Sequence, residues 1–250
     1  MTGASSGIGE AFARRLAAEG CAVTLVARRA ERLAAVAGGI RAAGGDAEVL
    51  VADLATEAGL TALADAARDA DVLVLNAGIT LAAAVGTTPT AAQERLAVLL
   101  ATGVSRTCEA AVPAMVARGS GDVVIVASIA AFAPMRKSAL YAAAKAYAVH
   151  YARSLALEVG PRGVRVCAVC PGYVRTGIHE AAGLGHLRRR VPGWLWCDPE
   201  DVADAAMRGL ARGRTVVVTG LAYRAARPFL ASGPVQMTWR RLTRRLGSRT

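Results

Sequence analysis

A tyrosine and a lysine stand four residues apart in "SIAAFAPMRKSALYAAAK", at Tyr141 and Lys145. That spacing puts both side chains on one face of a helix. A free phenol, with a pKa near 10, is a sluggish acid–base group at neutral pH. An ammonium beside it favours the phenolate and lowers that pKa toward the working range. Ser128 lies thirteen residues before Tyr141 and closes an apolar run that reads as a strand. Its hydroxyl could polarise a carbonyl. The three residue types suit delivery of a proton to an oxygen on which charge develops.

Lysine is rare in this chain. Of thirty basic residues only Lys137 and Lys145 are lysine. Where arginine is tolerated so widely, a retained lysine suggests a need for a compact, titratable ammonium.

A second constellation opens the chain. "MTGASSGIGE" carries glycines at 3, 7 and 9 and leads into a helical stretch. The N-terminal amides and dipole of such a helix could hold a pyrophosphate. This turn normally follows a buried strand, and only Met1 and Thr2 precede it. In dinucleotide folds an acid at the end of the second strand bonds the ribose 2′-hydroxyl, whereas a basic residue accommodates a 2′-phosphate. Arg28 and Arg29 hold that place, with no acid until Glu31. The residues favour NADP(H) over NAD(H).

The elements that must position these groups alternate. Strand-like runs lie at 21–27, 47–52, 71–76, 122–128, 163–169 and 215–220. They are apolar on both faces, as parallel strands covered by helices are. Helical stretches lie at 7–19, 29–43, 57–70, 90–118, 138–160 and 199–212, the last opened by Asp198 and Pro199. The pattern predicts an α/β fold: a Rossmann-type, doubly wound parallel sheet in three layers, with a truncated first strand, in one domain over 1–250. Two segments stand outside the alternation, a flap at 173–197 and a tail at 221–250.

Composition bounds the partners. Apolar residues make up 54% of the chain and charged residues 20%, as in a globular protein. No apolar run approaches the roughly 20 residues of a membrane span. No secretory signal opens the chain, which makes a cytoplasmic location the default. The formal charge is +11, and the basic residues are scattered along the chain apart from two clusters, Arg188, Arg189 and Arg190 and the tail "WRRLTRRLGSR". No nucleic-acid module surrounds them, so they read as solvated charge. "CAVC" places Cys167 and Cys170 three apart in a strand, hence on opposite faces, and neither a metal nor a disulfide is expected. His179 and His186 have no metal partner at ligand spacing.

Further motifs follow in order: "ADL" at 52–54, "NAG" at 76–78 and "PGYVRT" from Pro171. With the glycine turn and the Ser128/Tyr141/Lys145 set, the sequence resembles the short-chain dehydrogenase/reductase family in its roughly 250-residue form. The resemblance runs from Thr2 to about Gly220. It implies that Gly3, Gly7 and Gly9 form the pyrophosphate turn, with Ser6 and Ile8 in it, and that Ser5, Arg28 and Arg29 lie near the adenosine phosphate. Asp53 and Leu54 would meet the adenine. Asn76, Ala77 and Gly78 would support the central strand and the ribose. Pro171, Gly172, Val174 and Thr176 would line the nicotinamide, and Thr176 would meet its carboxamide. Ser128, Tyr141 and Lys145 would be catalytic, with Lys145 also bonding the nicotinamide ribose. In this fold the first strand is central, so the expectation is a gene product that starts several residues earlier with an apolar strand.

One position departs from the family. Thirteen residues before Pro113 of "VPAM" the family carries an asparagine, which holds a proton-relaying water. Here that count lands on Leu100, or on Leu99 with a slip of one. Leucine has no group for this task.

The loop after Gly78, "GITLAAAV", and the flap residues Trp194, Leu195 and Trp196 suggest an apolar pocket for a ketone or secondary alcohol. The Ala-rich helices at 90–118 and 138–160 suit pairing into a homodimer or homotetramer, as the family does. The expected function is an NADPH-dependent carbonyl reductase or alcohol dehydrogenase. A non-catalytic NADP(H)-binding regulator or scaffold on the same fold is the alternative that Leu100 leaves open. Nucleic-acid binding by the tail lacks aromatic platforms.

Overall fold

The computed structural model describes residues 1–178 and 183–230. Six parallel strands are arranged in the order β2-β1 and β3-β4-β5-β8. They are β1 (Val23–Ala27), β2 (Ala47–Val51), β3 (Val72–Leu75), β4 (Gly121–Val126), β5 (Val164–Cys170) and β8 (Val216–Val218). Each lies within or one residue from its run of β-branched residues.

The first two residues join the two halves. Thr2 bridges Val26 of β1 in parallel, and the Val26 amide donates to the Met1 carbonyl at 2.8 Å. On the other side the Thr2 amide donates to the Val74 carbonyl of β3 at 2.9 Å. Met1 and Thr2 thus occupy the central slot that the sequence assigns to a truncated first strand, as a bridge and not as a full strand. The chain crosses from this slot to β1 and β2 on one side, then returns to β3 on the other. That makes the end of the Met1–Thr2 stub the topological switch point, where ligands bind in open α/β sheets.

Helices α1 (Gly7–Ala18), α2 (Ala30–Ala42), α3 (Glu57–Ala67), α4 (Thr90–Ala97), α5 (Gly103–Ala117), α6 (Ala139–Val159), α7 (Leu187–Arg190), α8 (Pro199–Ala211) and α9 (Leu221–Leu230) complete the described elements. Strand alternation divides the core. Val74, Val124, Val126, Cys167 and Val169 pack with α1, α2 and α8. Leu73, Leu75, Val123, Ile125, Val166 and Cys170 pack with α5 and α6. This is the three-layer arrangement that runs apolar on both faces require. Cys167 and Cys170 point to opposite faces and are free thiols. β2 is the exception, an edge strand that leaves Val49 and Val51 exposed.

The stretch read as one helix over 90–118 contains a π-turn, Val98–Thr102, between α4 and α5. The flap is held at its feet by a two-residue parallel pair, β6 (Tyr173–Val174) and β7 (Trp196–Cys197). Of the tail, residues 221–230 form α9, and 231–250 lie outside the described residues, as does His179. Among the described residues no helix is long and apolar enough to cross a membrane.

Candidate active site

The glycine turn is locked to the end of β3 by Thr2. Its hydroxyl oxygen accepts from the amides of Asn76 at 2.9 Å and Ala77 at 3.0 Å. The Asn76 side-chain amide donates back to the carbonyls of Thr2 at 3.1 Å and Gly3 at 3.3 Å. A side chain at Gly9 would overlap the Gly3 carbonyl oxygen. Gly7 has φ +59°, and a Cβ there would lie 2.8 Å from the Thr176 methyl. The turn is therefore a bare cradle of backbone at the entry to α1, closed on the far side by Thr176. Such a cradle fits the pyrophosphate of a dinucleotide.

Arg29 precedes α2 and reaches across to the cradle. Its guanidinium donates to the Ser5 hydroxyl at 2.9 Å and to the Ser6 hydroxyl at 2.7 Å. Asp53, just after β2, accepts from one Arg95 nitrogen at both carboxylate oxygens, 2.9 and 2.8 Å. Burial raises the Asp53 pKa, but the Arg95 hydrogen bonds, the Ala55 amide and the charges of Arg95 and Arg28 outweigh it and hold the carboxyl below its usual range. Arg29 thus reaches the glycine turn, and Arg28 lies near enough to act on the Asp53 carboxylate. Arg95 was not legible in the sequence, because only the fold brings α4 to Asp53, 42 residues away in the chain. Leu54 is buried with Leu60 and Leu63, and Ile8 packs partly against the core.

Ser128, Tyr141 and Lys145 come together beyond the end of β4. Ser128 caps a 3-10 turn, accepting from the Ala130 amide at 3.2 Å, and is buried. Burial pushes the Tyr141 phenol up from its ordinary pKa, and a hydrogen bond with Ser128 opposes that shift. Lys145 is buried, its Nζ 5.8 Å from the centre of the Tyr141 ring. The same Nζ donates to the Val126 carbonyl at 2.7 Å. Burial brings its pKa down to about 8. This corrects the expectation that Lys145 lowers the pKa of Tyr141. The ammonium stands over the ring face, its proton is directed to a main-chain carbonyl, and desolvation dominates both groups.

The π-turn settles the register of the missing asparagine. Leu100 is 2% exposed and packs with Leu96, Ala144, Ile79 and Tyr141. Its Cδ2 lies 3.1 Å from where a Cβ on Gly78 would stand, a point 4.0 Å from Lys145 Nζ. Leu99 packs instead with the Leu54 and Leu60 cluster. Leu100 is therefore the residue facing Gly78 and the lysine, and an apolar wall closes that side.

The Pro171 carbonyl accepts from the Ile129 amide at 2.9 Å, which ties the "PG" turn to the Ser128 turn. The ring of Tyr223 in α9 lies against Gly172, where any Cβ would collide with it. The Tyr223 hydroxyl donates to the Leu195 carbonyl at 3.1 Å and accepts from the Tyr173 amide at 3.5 Å, so it joins both feet of the flap. Sequence reasoning missed Tyr223, which lies in the tail. Val174 is buried in the core. Trp196 is buried against the Tyr173 ring, with centroids 5.2 Å apart. Trp194, expected as a pocket wall, points into solvent instead.

The loops on either side of the mouth are pinned together, the Ala83 amide donating to the Lys137 carbonyl at 2.7 Å. Lys137 adopts a left-handed φ of 57°, four residues before Tyr141. Such a conformation is strained for a residue with a side chain. Among the described residues no group of three His, Cys, Asp or Glu is placed to hold a metal ion.

Comparison with known proteins agrees with this geometry. The model of the short chain dehydrogenase family matches residues 1–185. The short-chain reductase protein NovJ of Streptomyces niveus is 35% identical over 220 residues, covering 86% of this chain and 79% of NovJ. A short-chain dehydrogenase from Sphingobium yanoikuyae, solved in complex with NADPH, superposes with a TM-score of 0.82 at 31% identity, covering 100% of this chain and 94% of that one. The bulky-bulky ketone specific alcohol dehydrogenase from Comamonas testosteroni does so with a TM-score of 0.78 at 27% identity, covering 100% and 93%. By these matches the protein is an NAD(P)-dependent oxidoreductase of alcohol- and ketone-type substrates, and the chain belongs to the short-chain dehydrogenase/reductase family.

Proposed function

We propose that this protein is an NADPH-dependent carbonyl reductase acting on an apolar ketone, reversibly with the secondary alcohol. The observation that carries the reading is the meeting of Ser128, Tyr141 and Lys145 beside a cradle flanked by Arg28 and Arg29. When bound, the cofactor supplies the hydride that reduces the carbonyl carbon. Gly3, Ser6, Gly7, Ile8 and Gly9 would hold its pyrophosphate, with Ser5 near the adenosine phosphate. Arg28 and Arg29 meet a 2′-phosphate, and Asp53 and Leu54 the adenine. Asn76, Ala77 and Gly78 hold the ribose side. Pro171, Gly172, Val174 and Thr176 hold the nicotinamide, and Lys145 its ribose.

Ser128 donates to the substrate oxygen and keeps it against the Tyr141 hydroxyl. Tyr141 gives its proton to that oxygen as charge develops there. Its raised pKa keeps it protonated, which suits it as the acid of reduction. Lys145 keeps its ammonium against the Tyr141 ring, anchored on the Val126 carbonyl, and so fixes the ring's position. Leu100 fills the inner side, so the proton that restores Tyr141 enters from the substrate mouth.

Ile79 and Leu81 pack beside Tyr141 and give the pocket an apolar wall. The NADPH in the Sphingobium structure and the ketone specificity of the Comamonas enzyme favour the same cofactor and substrate class for this chain. We also infer a homodimer or homotetramer through α5 and α6. A groove of about 400 Å³ runs between them, lined by Val112, Val116, Tyr151 and Leu155.

The test is oxidation of NADPH and of NADH over a panel of apolar ketones and quinones. Turnover with NADPH favoured is expected. Failure with every ketone in a protein that binds NADPH tightly overturns the reading. A monomer on gel filtration at micromolar concentration overturns the oligomer.

A further inference from the structure

Strand register brings an acid close to the cations that would meet a 2′-phosphate. Ala27 pairs with Val51 in the parallel ladder of β1 and β2, and the Ala52 amide donates to the Ala27 carbonyl at 3.0 Å. Arg28 and Asp53 thus follow the ends of neighbouring strands, and the Arg28 charge reaches the Asp53 carboxylate. A phosphate drawn to Arg28 comes near that carboxylate too. The two anions repel each other. A pocket for NADP(H) has to answer that repulsion.

The acid cannot simply swing away. The Asp53 carbonyl accepts from the Thr56 amide at 3.0 Å and from the Thr56 hydroxyl at 2.8 Å. A Cβ on Gly59 would overlap the same carbonyl oxygen, so only glycine lets α3 approach this turn. The Ala55 amide donates to Asp53 Oδ1 at 3.1 Å. These contacts fix the backbone and one side of the carboxylate.

Arg95 takes the other side. Its Nη2 donates to Oδ1 at 2.9 Å and to Oδ2 at 2.8 Å. Among the described residues Asp53 is its only hydrogen-bonding partner, so its charge is not shared with a second acid. Both side chains are only 34% exposed, which limits screening by water. The helix turn that carries Arg95 is itself fixed. Leu96, next in the chain, is 1% exposed and packs with Leu100, Ala144 and Tyr141.

We propose that Arg95 is a specificity-determining positioning residue, which cancels the charge of Asp53 beside the 2′-phosphate and so admits NADP(H). The proposal rests on the 2′-phosphate reading of Arg28 and Arg29. Those two attract the phosphate, and Arg95 removes a repulsion.

The test is the Kd of NADPH and of NADH, from nicotinamide fluorescence, for the parent and four variants. Arg95→Gln should weaken NADPH by roughly 5–10-fold, the repulsion of a carboxylate and a phosphate at close range in water-like surroundings. NADH should change by less than about twofold. The NADPH loss should shrink with added salt, as a charge effect does. Arg95→Lys keeps a cation and should restore most of the preference. Arg95→Gln with Asp53→Asn should regain NADPH affinity to within about twofold of Asp53→Asn alone, because the acid is gone. Asp53→Asn alone leaves the parent arginine in place and frees its charge. It should tilt the NADPH-to-NADH preference toward NADPH, which keeps the test available if Arg95→Gln folds poorly.

A parent that binds both cofactors equally overturns the 2′-phosphate reading, and this proposal with it. A parent that prefers NADPH, with the preference unchanged in Arg95→Gln, overturns the role of Arg95 alone. Equal losses for both cofactors, without rescue by Asp53→Asn, mark a staple of the fold and overturn it too. So does a preference that falls in Asp53→Asn.

Discussion

The Lys145 ammonium donates to the Val126 carbonyl at 2.7 Å while standing 5.8 Å from the centre of the Tyr141 ring. A buried cation with one carbonyl partner is a stability liability. Its folded pKa of about 8 lies below the 10.5 of an exposed lysine. Between those values the unfolded chain binds the extra proton, so stability should climb as pH rises from about 8 toward 10.5. Below the lower value the cost is full and constant. Lys145→Met should therefore be more stable than the parent at pH 7 by about 1–3 kcal/mol, and the gap should close toward pH 10. Urea unfolding at both pH values measures this. A less stable Lys145→Met at neutral pH would contradict the burial argument.

The raised pKa of Tyr141 gives the two directions of the reaction opposite pH dependence. Carbonyl reduction uses the protonated phenol, which persists well above neutrality. Its rate should stay flat until strongly alkaline pH. Alcohol oxidation uses the phenolate, and its rate should rise with pH across the same range. Tyr141→Phe should abolish both while leaving NADPH binding, followed by fluorescence, within about twofold. Near-parental turnover in that variant would remove Tyr141 from the reaction.

How much of this was legible in the sequence follows from which forces are local. The strands were readable because burial on both faces forces a run of β-branched residues. The Ser128, Tyr141 and Lys145 set was readable because one helix face and one strand end fix it. The π-turn at Val98–Thr102 was not. It sets Leu100 against Gly78, a relation across the fold with no local signature. Arg95 was missed for the same reason, since α4 lies far in sequence from Asp53. Trp194 was misread because apolarity alone does not tell a pocket wall from an outward side chain.

Leu100 should resist the family's residue. Leu100→Asn places an amide among Leu96, Ala144 and Ile79, with Lys145 on the one polar side. A cost of about 2–4 kcal/mol is expected from the lost packing and the partly satisfied amide. Chemical denaturation reads it directly. If the variant is as stable as the parent, the inner wall is wetter than its apolar lining suggests.

Cofactor choice should rest on two adjacent cations. Arg29 bonds Ser5 and Ser6, and Arg28 lies close enough to help hold Asp53 ionised. Replacing both by alanine should raise KM for NADPH by roughly 10–100-fold, as loss of charge-assisted hydrogen bonds does. KM for NADH should move by less than about threefold, since no 2′-phosphate is there to lose. Equal losses for both cofactors would show that the arginines only shape the cradle.

Gly172 and Tyr223 form a pair that a double substitution can test. The ring lies where a Cβ on Gly172 would have to stand, and its hydroxyl joins both feet of the flap. Gly172→Ala alone must push the ring away, which breaks both hydroxyl contacts and loosens Thr176 from Gly7. It should destabilise the protein and weaken NADPH binding. Tyr223→Ala alone loses the same contacts without the clash. Adding Gly172→Ala to Tyr223→Ala should then cost little more, because the obstacle is gone. A coupling of about 1–3 kcal/mol between the two sites is expected from a thermodynamic cycle. Strict additivity would mean that the flap is held by the Tyr173 and Trp196 pair and by Arg175 to Asp198, and that α9 merely lies against it.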